Sequence, residues 1–156
     1  TASVCNLRPD SRGHIRIKSP DPRAKPSIRP NYLSAETDRQ IAANALKLTR
    51  RIVGAPAMAK YAPEEFLPGP QVATDEDLAH AAGDIATTIF HPVGTCKMGS
   101  DNMAVVDERL RLRGLRGLRI ADASIMPTIT SGNTNSPTVV IAEKAARMMK
   151  EDRTGS

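Results

Sequence analysis

His91 opens the stretch HPVGTCKMG and stands directly before Pro92, whose ring biases the preceding residue away from helical backbone. A histidine held this way could ligate a metal, activate a nucleophile, or move a proton by itself. The first role needs partners. His80, His91 and Cys96 are the nearest set, but H-x10-H-x4-C matches no zinc pattern, and no metal site is expected. The second needs a marked nucleophile, and the chain has no GxSxG elbow. Neither is there a GxGxxG fingerprint, and GTCKMG lacks the GK[ST] ending of a phosphate loop. Acid–base work remains, although a lone histidine is more often structural. Further along, SGNTN sets Asn133 and Asn135 in a loop before an apolar helical pattern. The first N–H groups and dipole of such a helix favour negative charge, while Asn135 or Ser136 would equally serve as an ordinary cap.

The elements that must position these residues follow from periodicity. VCNL and HIRIKS read as short strands joined by the turn-forming PDSRG. In the second, Ile15 and Ile17 alternate with His14, Arg16 and Lys18, as in a half-buried antiparallel strand. PDPRAKPSIRP is too rich in proline to be other than extended or looped. SAETDRQIAANALKLTRRIVG is the clearest helix, with Ser34 as cap, Ile41, Ala45, Leu48 and Ile52 as its apolar stripe, and Gly54 at the exit. Residues 55–73 carry Pro56, Pro63, Pro68 and Pro70 and allow at most one helical turn. TDED then forms a capping-box pattern on Thr74 and Asp77, opening a helix whose Leu78, Ala82, Ile85 and Ile89 lead the chain to His91. LRIA reads as a short buried strand. Pro137 suits the first turn of the last helix, where Glu143 and Arg147 stand four apart.

The 156 residues carry 22 Lys and Arg against 17 Asp and Glu, a net charge of +5. The basic residues are interleaved with acids and aromatics are few, so no nucleic-acid partner is expected. The repeated LR pairs of RLRLRGLRGLRIADAS read as inward leucines and solvated arginines. No run approaches the ~20 apolar residues that span a bilayer, so no transmembrane segment is expected. The start TASVCNL has neither initiator Met nor leader pattern and reads as the interior of a longer protein. Cys5 and Cys96 form no CxxC and suit free thiols in a reducing, cytoplasmic setting, in a protein free to associate with a membrane.

Taken together, HPVGTCKMG and AVVDERLRLRGLRGLRIADASIMPTITSGNTNSPTVVIAEKAA resemble the end of the glucose–methanol–choline (GMC) family of FAD-dependent oxidoreductases. LRPDSRGHIRIKSPDPRAKPSIRPNYL is similar to an earlier part of the same C-terminal region, so the resemblance covers nearly the whole chain. It implies an α+β fold. Residues 1–89 would be part of a substrate-binding domain, an antiparallel sheet with flanking helices. Residues 90–156 would carry the active-site segment and a helix returning to the FAD-binding domain, whose GxGxxG unit is not in this chain.

The resemblance also implies roles. His91 matches the family's active-site acid/base, and Asn133, with Asn135 as the competitor, matches the second active-site position. Asp122 and Ala123 match the stretch along the FAD diphosphate and ribityl chain. Thr134, Asn135 and Pro137 match the segment beside the isoalloxazine ring. The implied reaction oxidises an alcohol CH–OH, hydride passing to flavin N5 and the proton to His91, with oxygen or a quinone as the eventual electron acceptor. Most of the FAD site would lie outside these residues, so the chain by itself is expected to be inactive. The rival expectation is a basic, non-catalytic binding module that retains the family fold.

Overall fold

In a computed structural model, which describes residues 1–154, the chain divides between Thr87 and Thr88. The fold class is α+β.

In the first unit, β1 (His14–Arg16) and β2 (Ser27–Arg29) pair antiparallel, with Ile15 opposite Ile28. β2 arises inside the proline-rich stretch read as extended or looped, where Ser27, Ile28 and Arg29 keep their N–H groups between Pro26 and Pro30, while residues 21–24 are taken up in a turn. VCNL forms no strand. The expected half-buried face is also absent: Ile15 is 51% and Ile17 89% exposed. Among the described residues the sheet has these two strands alone, too few to form a covered face by themselves.

Helix α1 (Glu36–Val53) is capped by Ala35, not Ser34, and Ala35 has no capping side chain. The loop before β1 substitutes. Ser11 Oγ accepts the Ala35 N–H at 3.1 Å, and Thr37 Oγ1 donates to Asp10 at 2.7 Å. Asp38, buried in the first turn, accepts from Asn6 Nδ2 at 3.0 Å, the Asp10 N–H at 2.9 Å and the Ser11 N–H at 2.8 Å. Burial by itself raises its pKa. The hydrogen bonds from Ser11 and Asp10 and the charge of Arg12 together outweigh that and hold it below 3.8.

The expected apolar stripe of α1 is not its packing face. Ile41, Leu48 and Ile52 are exposed, and Ala43 is buried instead. α1 packs on α2 (Asp75–Ile85), which buries Leu78 and Ala82. Thr74 caps α2 as expected, accepting the Asp77 N–H at 3.1 Å and donating to the Asp77 carboxylate at 2.7 Å. The helix stops at Ile85, four residues short of Ile89, and Ala86 is already extended. Between the helices, Pro56–Tyr61 makes a 3-10 helix longer than the single turn expected. Arg50 ties the segment behind it to α1, bridging Glu65 at 2.7 Å and donating to the Gly69 and Val72 carbonyls.

The second unit is built on Val106, Leu110, Ile125 and Ala145, with Met98, Leu112, Ile120 and Ile141 packed against them. Here LRIA makes no regular strand, only isolated bridges such as Arg111 with Arg119. Glycines at 114 and 117 in left-handed conformation turn the chain too often for a ladder to extend. Helix α3 (Asn135–Thr154) places Pro137 in its first turn. Arg147 pairs with Glu151 at 3.1 Å, one turn onward, and not with Glu143. Arg109 holds the far end of α3 through Asp152 at 2.7 Å and the Met148 carbonyl.

Candidate active site

The HPVGTCKMG stretch is held by backbone pairing within the second unit. Cys96 N–H donates to the Ser124 carbonyl at 3.0 Å and Met98 N–H to that of Ile125 at 2.7 Å. On its other side, the Val105 N–H donates to Lys97 at 2.9 Å. HPVGTCKM is thereby docked on the residues that follow Asp122. Gly94 makes the approach feasible. Its φ is +86°, and a Cβ there would lie 3.3 Å from the Met126 carbonyl oxygen.

The half-buried His91 is reached through Phe90, whose φ of 63° is left-handed. On the other arm Ser131 has a φ of 56°, just before Gly132 and Asn133. Non-glycine residues in this conformation are uncommon, and such strain gathers where geometry is over-determined. Here it brings two separate segments onto one ring. His91 Nε2 lies 3.1 Å from Asn133 Oδ1, and Nδ1 lies 3.0 Å from Thr134 Oγ1. Asn133 is exposed and Thr134 buried. Thr134 is locked by α3, its carbonyl accepting the Thr138 N–H at 3.0 Å and the Thr138 hydroxyl at 2.7 Å.

The remaining candidates lie nearby in the fold but not on the imidazole. Asn135 is the exposed first residue of α3, one position beyond the pair that meets His91. Asp122 caps a 3-10 turn over Ala123–Ile125, accepting the Ser124 N–H at 2.8 Å through Oδ1 while its side chain stays exposed. Pro137 borders an open groove of about 550 Å³, lined also by Met98, Met126, Val140 and Ile141.

The profile of the GMC oxidoreductase family matches residues 9–142. The chain belongs to that family. Among similar proteins, alcohol dehydrogenase [acceptor] of Pseudomonas putida is 48% identical over 149 residues, covering 96% of this chain and 27% of its own. Oxygen-dependent choline dehydrogenase of Cronobacter sakazakii is 50% identical over 143 residues, covering 92% and 26%. Among solved structures, pyridoxine 4-oxidase from Mesorbium loti superposes with a TM-score of 0.87 at 36% identity over 93% of this chain and 28% of that one. An FAD-dependent oxidoreductase from Chaetomium thermophilum gives 0.89 at 29% identity, over 95% and 26%. The chain therefore spans about a quarter of the length of these relatives.

GMC oxidoreductases are FAD flavoproteins, and the second unit suits part of such a group. The groove wall is almost wholly apolar and lies beside the α3 N-terminus, a surface for a flat ring with a polar edge. The exposed Asp122 keeps its other carboxylate oxygen for a hydroxyl-bearing chain. Sequence reasoning missed the groove residues Met98, Met126 and Val140, whose types carry no pattern beyond ordinary core. It also placed Thr134 beside the cofactor without seeing that its hydroxyl meets His91. The signal for that was its position directly after Asn133 and directly before α3.

Proposed function

We propose that these residues are the C-terminal part of a flavin-dependent alcohol oxidoreductase, in which His91 takes the proton of a substrate CH–OH group. The observation that carries this reading is the imidazole held between Asn133 at 3.1 Å and Thr134 at 3.0 Å. Losing a hydride alone would leave the alcohol carbon as a protonated carbonyl, so a base that takes the hydroxyl proton as the hydride departs lowers the barrier. A well-placed one is worth roughly 10²–10⁴ in rate. Asn133, exposed beside Nε2, offers its amide to the same substrate oxygen and holds it at the ring. FAD, when bound, supplies the hydride acceptor. Thr134, Asn135 and Pro137 would flank its ring system, with Asp122 and Ala123 along its chain.

Membership of the family and the identity to an alcohol and a choline dehydrogenase support the substrate class, an alcohol. Oxygen or a quinone would take the electrons onward. Among the described residues no helix is long and apolar enough to cross a membrane. In a chain of the relatives' full length that contains these residues, His91→Ala should lower kcat for alcohol oxidation at least ~10²-fold with flavin content unchanged. Full activity in that variant would exclude His91 as the base. The 156-residue chain alone should copurify with no stoichiometric flavin, read from the visible absorbance.

A further inference from the structure

Thr134 holds the place where a threonine ordinarily turns its hydroxyl back onto the first N–H groups of the helix. Here Oγ1 meets Nδ1 of His91 at 3.0 Å, while the Thr134 carbonyl starts the α3 ladder. We infer that Thr134 is a positioning residue, its hydroxyl holding the His91 ring in one plane through both protonation states. The inference rests on the reading of His91 as the base and deepens it.

The chemistry of the two partners carries the argument. A base that accepts a proton and later releases it presents different hydrogen-bonding faces before and after. Neutral imidazole has one N–H and one bare nitrogen, and imidazolium has two N–H groups. The substrate proton arrives at Nε2, the nitrogen beside the exposed Asn133, so Nδ1 carries its N–H both before and after the transfer. A hydroxyl rotates. The Thr134 oxygen turns a lone pair to Nδ1–H and accepts from it in both states, which keeps Nε2 the bare, basic nitrogen. On the opposite edge, where the state does change, Asn133 is two-sided, with an NH₂ that donates to the bare Nε2 and an oxygen that accepts from Nε2–H. The ring therefore keeps a partner on both nitrogens without turning.

Rigidity comes from the backbone. Thr134 is buried, and its carbonyl takes both the N–H and the hydroxyl of Thr138. Its Cα therefore moves only with α3. Valine has the shape of threonine without the hydroxyl, so Thr134→Val removes the contact and leaves the helix start packed. Serine keeps the hydroxyl.

The test uses the full-length flavoprotein with ¹⁵N-labelled histidine, the His91 signals being those absent from His91→Ala. Thr134→Val should lower kcat about 10- to 100-fold with KM within about twofold, as loss of orientation does. It should also shift the His91 Nδ1 resonance while leaving those of His14 and His80 in place. Thr134→Ser should restore both. Thr134→Ala, which cannot overfill the site, is the second hydroxyl deletion should valine perturb folding by circular dichroism. If kcat falls but the Nδ1 resonance stays, the residue is merely structural and the inference is overturned. It is equally overturned if neither changes while His91→Ala is inactive. An active His91→Ala would instead overturn the proposed function itself.

Discussion

Asp38 is the sharpest test of how the first unit is held, because one carboxylate serves three donors. Oδ1 accepts from Asn6 and the Asp10 N–H, and Oδ2 from the Ser11 N–H. Asp38→Asn keeps the shape but leaves one acceptor oxygen and turns an NH₂ toward the other donors. If the remaining oxygen stays with Asn6 and Asp10, the Ser11 N–H loses its acceptor, at about 1–3 kcal/mol. The other two bonds fall from charge-assisted to neutral, each losing roughly 0.5–1.5 kcal/mol. The sum is about 4 kcal/mol at neutral pH, so local opening should become about 1000-fold easier. Urea unfolding should show the lower stability, and hydrogen exchange should show faster Asp10 and Ser11 amides. The pH dependence provides the control. The folded-state pKa of Asp38 lies below its ordinary 3.8. Its contribution is therefore complete above 3.8 and disappears as pH falls through the folded value. A protonated Asp38 resembles the asparagine, so the gap between the two proteins should close toward the acid end. An unchanged urea midpoint at pH 7, or a gap of constant size down to the acid end, would refute the reasoning.

Two further perturbations probe the frame around the site. Gly94→Ala forces a Cβ onto a residue at φ +86° and to within 3.3 Å of the Met126 carbonyl. The left-handed backbone alone costs alanine about 1–2 kcal/mol, read as a lower Tm. Gly94→Asn should lose less, because asparagine tolerates that conformation better. Arg50→Ala removes the bridge to Glu65 and the donors to Gly69 and Val72. Side chains 28% and 25% exposed put the pair between surface and buried, at about 2 kcal/mol. The hydrogen bond from Arg50 holds Glu65 below its ordinary 4.5, against the effect of burial. That contribution is present above 4.5 and is lost as pH falls through the folded value. Limited proteolysis at neutral pH should cut 62–73 faster in Arg50→Ala than in the parent, and equal rates would show that the bridge does not hold the segment.

Local chemistry made several elements legible in advance. The Thr74–Asp77 cap, the exit at Gly54 and the last helix with Pro137 in its first turn depend on neighbours within one turn of chain. The alternation of HIRIKS likewise announced a strand. Features that depend on distant partners were not legible. Ser34 lost the cap of α1 because Ser11 and Asp10 supplied the bonds from a loop before β1. The bulky stripe of α1 stayed exposed while Ala43 was buried, because which side of a helix is covered depends on where its partner α2 packs. LRIA lost its strand to repeated left-handed turns at Gly114 and Gly117.

The candidate site divides in the same way. Residue types and order alone singled out His91 and the Asn133–Asn135 loop, since a proton-moving ring and an amide are recognisable wherever they lie. Which amide meets the ring was a tertiary decision. The left-handed turn at Ser131 and the start of α3 at Asn135 put Asn133 and Thr134, and not Asn135, at the two nitrogens of His91. Sequence specifies which groups are available and what each does locally. A hydrogen bond between residues forty-three positions apart exists only once the backbone between them has folded, and His91 with Thr134 is such a bond.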